Sequence, residues 1–238
     1  RAVWPSTGNY CRGGVASAKL LGCRSVAVLP EGMSQERFDW LNAWLTDPND
    51  IHRTPGTESN VKEIYDACHE LDQNTENLIL NQFAEYGNYI IHRAVTGPAL
   101  ERIFNHLYVD GNLSPRAYVS ATGSAGTIAA GDHLKQVLGM QIGAIEALEC
   151  PTLLLNGYGE HNIQWIGDKH VPLIHNVMNA DFVIGVSDSA TDGMNMVANT
   201  TAGREYLSNY RGLGQEAIAE LGHFGLSALG NIIGATRW

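Results

Sequence analysis

Two short stretches carry residue types suited to holding an anion. Ser6-Thr7-Gly8-Asn9-Tyr10 puts two hydroxyls, a glycine and an amide just ahead of a helical pattern. Backbone N–H groups at a helix start point at an incoming anion, and a glycine admits close approach. Such a loop suits a carboxylate or a phosphate, although Ser, Thr and Asn are also the usual helix N-caps. Ala121-Thr122-Gly123-Ser124-Ala125-Gly126-Thr127-Ile128 lies between an apolar run and a second helical pattern. Successive amides in a glycine-rich turn make an anion nest, and the helix dipole adds to it. Phosphate is its natural guest; a tight packing turn is the alternative. The segment is neither G-x-x-x-x-G-K-[ST] nor G-x-G-x-x-G, so the common nucleotide loops do not apply.

Two further segments are weaker. Asn81-Gln82-Phe83 follows a short apolar run. A Gln at the carboxyl end of a strand in an α/β sheet faces the usual ligand crevice. Gly225-Leu226-Ser227-Ala228-Leu229-Gly230 precedes the last helical pattern. Ser227 is a helix cap by default and a ligand donor otherwise. Its spacing misses the G-x-S-x-G nucleophile elbow by one residue. His170 and His175 flank Pro172 and do not share a helix face, and the other histidines are scattered. They read as structural or surface residues, with no metal expected.

The elements that must position these residues alternate. Apolar runs at Ser25–Pro30, Asp50–Arg53, Leu78–Leu80, Ala117–Ala121, Gln141–Glu149 and Phe182–Val186 read as strands. Helical patterns run from Gly13 to Leu21, Ser34 to Trp44 and Ser59 to Leu71, with Ser59 as cap. Others run from Gly97 to Leu107, from the Gly-rich turn to Val137, from Thr201 to Asn209 and from Leu226 to Arg237. This alternation predicts an α/β fold with a largely parallel sheet. A division is expected near residues 86–93, where polar residues and Gly87 interrupt the pattern.

Composition sets the class. The chain has 238 residues, 44% hydrophobic and 17% charged, enough apolar content for a sizeable core. The net charge of -10 argues against nucleic acid or an anionic membrane as partner. Cys11, Cys23, Cys68 and Cys150 form no C-x-x-C pair, which predicts reduced thiols in a cytoplasmic protein. Arg1-Ala2-Val3 has no initiator Met, and the last helical pattern reads as unfinished, so both ends look like fragment boundaries.

Taken in order, the four motifs resemble the fold-type II pyridoxal-phosphate enzymes of the cysteine synthase/cystathionine β-synthase family, related to tryptophan synthase β. Ser6-Thr7-Gly8-Asn9 resembles that family's T-S-G-N loop, and Asn81-Gln82-Phe83 its Q-F segment. Gly123-Ser124-Ala125-Gly126-Thr127 resembles its G-T-G-G-T phosphate cup, and Gly225-Leu226-Ser227 its G-x-S segment. The likeness runs over nearly the whole chain. It implies a two-lobed α/β fold with three-layer parallel sheets. Residues 1–90 would form the smaller lobe, binding the substrate carboxylate, and residues 91–238 the larger lobe, binding the cofactor phosphate.

The resemblance also implies roles. Gly123, Ser124, Ala125, Gly126 and Thr127 would hold the phosphate of pyridoxal 5′-phosphate. Asn9 would bond the ring oxygen, and Ser227 would face the pyridine nitrogen. Ser6, Thr7, Gly8 and Gln82 would bind the carboxylate of a small amino-acid substrate. The implied reaction is β-elimination or β-replacement on a serine- or cysteine-type amino acid, in a homodimer. An ammonia-lyase or dehydratase, or a non-catalytic phosphate-binding relative, are the alternatives. A nucleotide-binding enzyme built on the Gly123 loop is disfavoured, because neither a Walker lysine nor a ribose-binding acidic signature is present.

Several residues depart from the family pattern. Tyr10 stands where Thr is common, Ser124-Ala125 replaces Thr-Gly, and Trp165 takes the place of a Gly. The largest departure is the lysine that binds the cofactor, which in this family lies upstream of the S-T-G-N-like loop. Lys19, Lys62, Lys135 and Lys169 are the lysines present, and none is placed by a motif at the ring. Lys19 and Lys135 are expected to face solvent.

Overall fold

The computed structural model describes all residues except 58, 59, 109, 110, 112, 164 and 165. The cap expected at Ser59 and the crowding expected at Trp165 therefore lie outside the described residues. The chain divides into two compact units. Arg1–Asn88 with Pro172–Ile174 form unit 1, and Tyr89–Val171 with His175–Trp238 form unit 2.

Unit 1 is built on four parallel strands, β1 (Ala2–Pro5), β2 (Ser25–Pro30), β3 (Ile51–Thr54) and β4 (Leu78–Ile79), in the order β3-β2-β1-β4. Three helices follow in sequence: α1 (Asn9–Leu20), α2 (Gln35–Trp44) and α3 (Val61–Leu71). Every residue of β2 is buried, as expected for a parallel strand covered on both faces. Side chains alternate along a strand, so β2 feeds two cores. Ala27 and Leu29 pack with Cys11 and Val15 of α1 and with Phe38 and Leu41 of α2. Val26 and Val28 pack with Val3 and with Ile64 and Cys68 of α3. The result is three layers, helix, sheet and helix.

Between Tyr86 and Leu107 the chain is helical throughout: α4 (Tyr86–Ile91), a π-helical stretch (His92–Thr96) and α5 (Gly97–Leu107). Unit 2 has a second parallel sheet of β5 (Ala117–Ala121), β6 (Gln141–Ala147) and β7 (Phe182–Val186), ordered β5-β6-β7. Its helices are α6 (Ala129–Leu138), the short α7 (Thr152–Leu155), α8 (Asp188–Asn199), α9 (Thr201–Asn209), α10 (Gln215–Leu221) and α11 (Leu226–Arg237). Two glycines let helices approach the sheet. A Cβ on Gly131 of α6 would sit 2.9 Å from the Tyr118 ring and 3.1 Å from Ile142. One on Gly234 of α11 would sit 2.3 Å from Ile145. Tyr118 and Ile142 thus face α6, whereas Val119 and Ile145 face α11, so this sheet is also covered on both sides. The α/β fold with parallel sheets is the one expected from the alternating pattern, and its three layers are those the family resemblance implies.

Candidate active site

In unit 1, β1 runs straight into the Ser6 loop. The Ser6 N–H donates to the Val28 carbonyl at 3.0 Å and so extends the pairing with β2. Ser6 is 2% exposed. Its Oγ accepts two hydrogen bonds, from the Gly8 N–H at 3.1 Å and from Gln82 Nε2 at 3.0 Å. A serine hydroxyl has two acceptor positions and one donor, so only the O–H donor is left over. Gln82 reaches Ser6 because β4 pairs with β1 and the Leu80 N–H continues that pairing to the Val3 carbonyl. Asn88 Nδ2 then donates to the Gln82 carbonyl at 2.9 Å and fixes the turn.

The helix that follows lacks a side-chain cap. Its N-cap position is Gly8, and no hydroxyl or amide of Ser6, Thr7 or Asn9 caps it. The N-cap alternative for this motif is therefore not realised: Ser6 spends its oxygen on Gly8 and Gln82 instead. The first helical bond is Arg12 N–H to the Gly8 carbonyl, so the amides of the first turn are not consumed within the helix. Asn9 is exposed and Thr7 half-buried at this opening. Tyr10 stands edge-on to Trp4, with ring centroids 5.6 Å apart. Burial, and then the charge of Glu85, raise its phenol above the ordinary range.

In unit 2 the Gly-rich segment joins β5 to α6. The Thr122 N–H donates to the Ile145 carbonyl at 2.9 Å, which carries the pairing with β6 one residue beyond the strand. Ala125 then adopts a left-handed backbone, φ 64°, with its side chain buried. Among the described residues, the backbone bonds of the turn begin with the Ala129 N–H to the Gly126 carbonyl at 3.1 Å. A left-handed bend ahead of a helix start is the kind of backbone that receives an anion. Thr127 is fixed from behind. Ser120 Oγ donates to Thr127 Oγ1 at 3.0 Å, Thr127 Oγ1 donates to the Ala121 carbonyl at 3.4 Å, and the Tyr118 hydroxyl donates to the Thr127 carbonyl at 2.9 Å. These supports were not read from the sequence. Their only signal is that Tyr118 and Ser120 alternate along β5.

Ser227 lies in the first turn of α11, half-buried, and Gly225 rather than Ser227 holds the N-cap position. The default cap role for Ser227 is therefore not realised. Leu226 and Ala121 both pack on the cluster of Ala147, Cys150, Ile163 and Ile166. Asn231 Oδ1 of α11 accepts from the Ala121 N–H at 2.6 Å. Hence the start of α11, the end of β5 and the Gly-rich turn meet at the carboxyl end of the strands, the usual ligand side of a parallel sheet. Glu146, at the end of β6, is 2% exposed and accepts from the Leu153 and Leu154 N–H groups, both at 2.9 Å. It closes the start of α7. Burial raises its carboxyl above the ordinary range, against those two bonds.

The lysines are engaged elsewhere. Lys19 is exposed as expected, donates to the Trp44 carbonyl at 3.1 Å and covers its ring. Lys62 pairs with Asp66 one helical turn away. Lys169 lies over the Tyr158 ring at 5.7 Å. Lys135, expected to face solvent, is half-buried and pinned by both oxygens of Asp181 at 2.9 Å and by the Asn179 carbonyl at 3.0 Å. The correction has a local cause, because Asp181 precedes β7 beside the C-terminal half of α6. His170, expected to be structural or at the surface, is partly exposed and places its Nδ1 3.5 Å from buried Asp168.

The chain was compared with known proteins. No protein-family model matches it. A cysteine synthase of Staphylococcus aureus is 29% identical over 199 residues, which cover 82% of this chain and 61% of that protein. Cysteine synthase B of Campylobacter jejuni is 33% identical over 171 residues, covering 71% of this chain and 54% of that protein. The chain belongs to the cysteine synthase family. It spans less than two thirds of the length of these relatives. Solved structures share the fold. A hydrogen sulfide-producing enzyme from Fusobacterium nucleatum superposes with a TM-score of 0.76 at 22% identity, covering 99% of this chain and 64% of that one. An O-acetylserine dependent cystathionine β-synthase from Helicobacter pylori gives 0.76 at 19% identity, covering 99% and 68%. The fold is therefore that of the fold-type II enzymes, whose cofactor is pyridoxal 5′-phosphate. The Gly-rich turn fits that cofactor's phosphate on its own geometry: a left-handed bend at Ala125, a helix start behind it, and a buried Thr122 Oγ1 with no partner among the described residues.

Proposed function

We propose that the protein carrying this chain catalyses pyridoxal-phosphate-dependent β-elimination or β-replacement on a serine- or cysteine-type amino acid. The observation that carries this reading is Ser6. Its hydroxyl has both acceptor positions filled, by Gly8 and Gln82, and only a donor remaining. A buried donor so placed, beside unspent first-turn amides, suits a carboxylate.

In this reading Ser6, Thr7, Gly8 and Gln82 bind the substrate carboxylate. Gly123, Ser124, Ala125, Gly126 and Thr127 hold the cofactor phosphate, and Asn9 bonds the ring oxygen. When bound, the cofactor supplies the electron withdrawal that makes the substrate's α-proton acidic and its β-substituent labile. Ser227 presents a neutral hydroxyl to the ring nitrogen in place of a carboxylate. That choice leaves the nitrogen less protonated and favours β-chemistry over reactions needing a full electron sink. The division into a carboxylate-binding lobe, residues 1–90, and a phosphate-binding lobe, residues 91–238, follows the same assignment, as do a homodimeric assembly and a cytoplasmic location.

The test is product analysis on the full protein. O-acetylserine with sulfide should yield cysteine. Pyruvate from serine or cysteine without replacement would make the enzyme a lyase or dehydratase instead. Release of neither product would sink the proposal.

A second reading is a non-catalytic relative that binds a phosphate ligand and carries the cofactor on no lysine of the full protein. The four lysines are occupied with Trp44, Asp66, Asp181 and Tyr158. Borohydride reduction followed by peptide mapping separates the two, since a pyridoxyl-lysine in the full protein excludes the second.

A further inference from the structure

The amino end of the unit 1 sheet carries a half-open cleft that none of the roles above uses. It holds about 590 Å³, within the size range of small-ligand sites. Val15 and Lys19, one turn apart on α1, line it together with Trp44 and Leu45 at the end of α2. Ser25, the first residue of β2, lines it as well. Side chains alternate along a strand, and Ala27 and Leu29 face α1 and α2, so Ser25 projects to that same side. Ser25 is 6% exposed, and its Oγ has no hydrogen-bond partner among the described residues. Native proteins rarely bury a hydroxyl without a partner, and one that lines a cleft is a donor waiting for an acceptor.

The charges of the lining do not cancel. Arg24 is spent on Asp50, at 2.7 and 3.0 Å, and on Asp47 at 3.2 Å. Asp47, the one acid among the described lining residues, also accepts from the Asn49 N–H and Nδ2 at 2.9 and 3.0 Å. No carboxylate is thus left over to receive an ammonium group. Lys19 is in the opposite position. Its ammonium has three donors, donates to the Trp44 carbonyl at 3.1 Å, and has no acid partner among the described residues. On a chain of net charge -10, this end of the sheet therefore combines an uncompensated cation, a buried hydroxyl donor and the apolar side chains of Val15 and Leu45.

We propose that the cleft binds a small organic anion, a carboxylate carried on an apolar body. Lys19 and Ser25 Oγ take the carboxylate, and Val15 and Leu45 take the body. This is a second site within unit 1. The Ser6 loop opens at the carboxyl end of β1 and the start of α1, whereas the cleft lies at the amino end of β2 and the last turn of α1. The two are separated by the length of a twelve-residue helix, about 18 Å. Binding here is independent of the reaction proposed above.

The experiment is equilibrium dialysis of the full protein against radiolabelled benzoate, with excess serine present to keep the Ser6 loop filled. One benzoate should bind per chain, with a Kd of about 1 mM or tighter. Acetate, which lacks the apolar body, should compete about tenfold less well, and benzamide, which lacks the charge, should not compete. Ser25→Ala should weaken benzoate by about tenfold and Lys19→Gln by about threefold. Both variants should keep the wild-type urea midpoint, because the first removes an unpartnered hydroxyl and the second an exposed side chain. Absence of benzoate binding, equal competition by acetate or benzamide, or wild-type affinity in either variant would overturn the proposal. None of these outcomes bears on the proposed function, which product analysis tests separately.

Discussion

Gln82 Nε2 donates to Ser6 Oγ at 3.0 Å across 76 residues of sequence. The bond exists because β4 and β1 are parallel neighbours, so the residues just past their carboxyl ends emerge side by side. Together with the Gly8 N–H it fills the acceptor positions of the Ser6 hydroxyl and leaves the O–H as the donor still to be used. Replacing Gln82 by Leu removes that bond without removing the hydroxyl. Losing a hydrogen-bond arrangement around a charged ligand group costs about 1.5–3 kcal/mol, so KM for the amino-acid substrate should rise by about tenfold or more. The cofactor's absorbance should be unaltered. Steady-state kinetics against substrate concentration, with a spectrum of each variant, checks both halves. An unchanged KM would separate Gln82 from carboxylate binding.

The Ala125 backbone carries a measurable strain. A non-glycine residue in the left-handed region costs about 1 kcal/mol because its Cβ crowds the following carbonyl. Ala125→Gly removes that crowding at the price of a floppier unfolded chain. The net expectation is a slightly more stable protein, by up to about 0.5 kcal/mol, read as a higher urea midpoint. Ala125→Val should move the midpoint the other way.

How much of this was legible beforehand depended on where each element buries its side chains. Phe182–Val186, Thr201–Asn209 and Leu226–Arg237 lie where their apolar periodicity placed them. Helix α8 was missed because Asp188–Asn199 is mostly small and polar, and it buries only Thr191 and Ala198. Helix α4 and the π-helical stretch were read as a break. None of their residues is buried, and Ile90, Ile91 and Val95 are all more than half exposed, so no periodic stripe marks them. The Gln141 strand stops at Ala147 rather than Glu149, since Leu148 turns outward and is 49% exposed. In the site, the loops were legible from residue type, but their internal supports were not. Gln82 with Ser6, Ser120 with Thr127, and Asp168 with His170 are pairings made by folding.

The close approach of α11 to the sheet predicts an intolerant glycine. A methyl at residue 234 would overlap Ile145 Cδ1, whose side chain is fully buried and cannot swing clear. Overpacking of this kind costs about 1–3 kcal/mol. Gly234→Ala should lower the urea midpoint accordingly. Gly193→Ala in α8, where a Cβ meets nothing within 4 Å, is the control and should be neutral or slightly stabilising.

The four cysteines should differ in reactivity. Burial raises the Cys11 thiol to about 12 and Cys68 to about 11, and Cys150 is fully buried, while Cys23 is exposed. The thiolate is the reactive form, so near neutral pH Cys23 should react first with a thiol reagent. Cys11 and Cys68 should react only at the rate of unfolding. Mass mapping of a brief labelling reaction checks this, and early modification of Cys11 would contradict the packing between α1 and β2.

The Lys135–Asp181 pair predicts a stability difference that closes in acid. Asp181 accepts from Lys135 and from the Ile142 N–H at 2.7 Å, and these hold its carboxyl below the ordinary carboxylate range. A carboxyl depressed on folding contributes stability above its unfolded pKa and loses it as pH falls through the folded one. Asp181→Asn should therefore be less stable than wild type at neutral pH. The two urea midpoints should converge as the solution is acidified below about pH 4, where the unfolded chain's carboxylates take up protons. A gap that stayed constant with pH would mean that the Ile142 hydrogen bond and side-chain packing, and not the charge on Asp181, account for the difference.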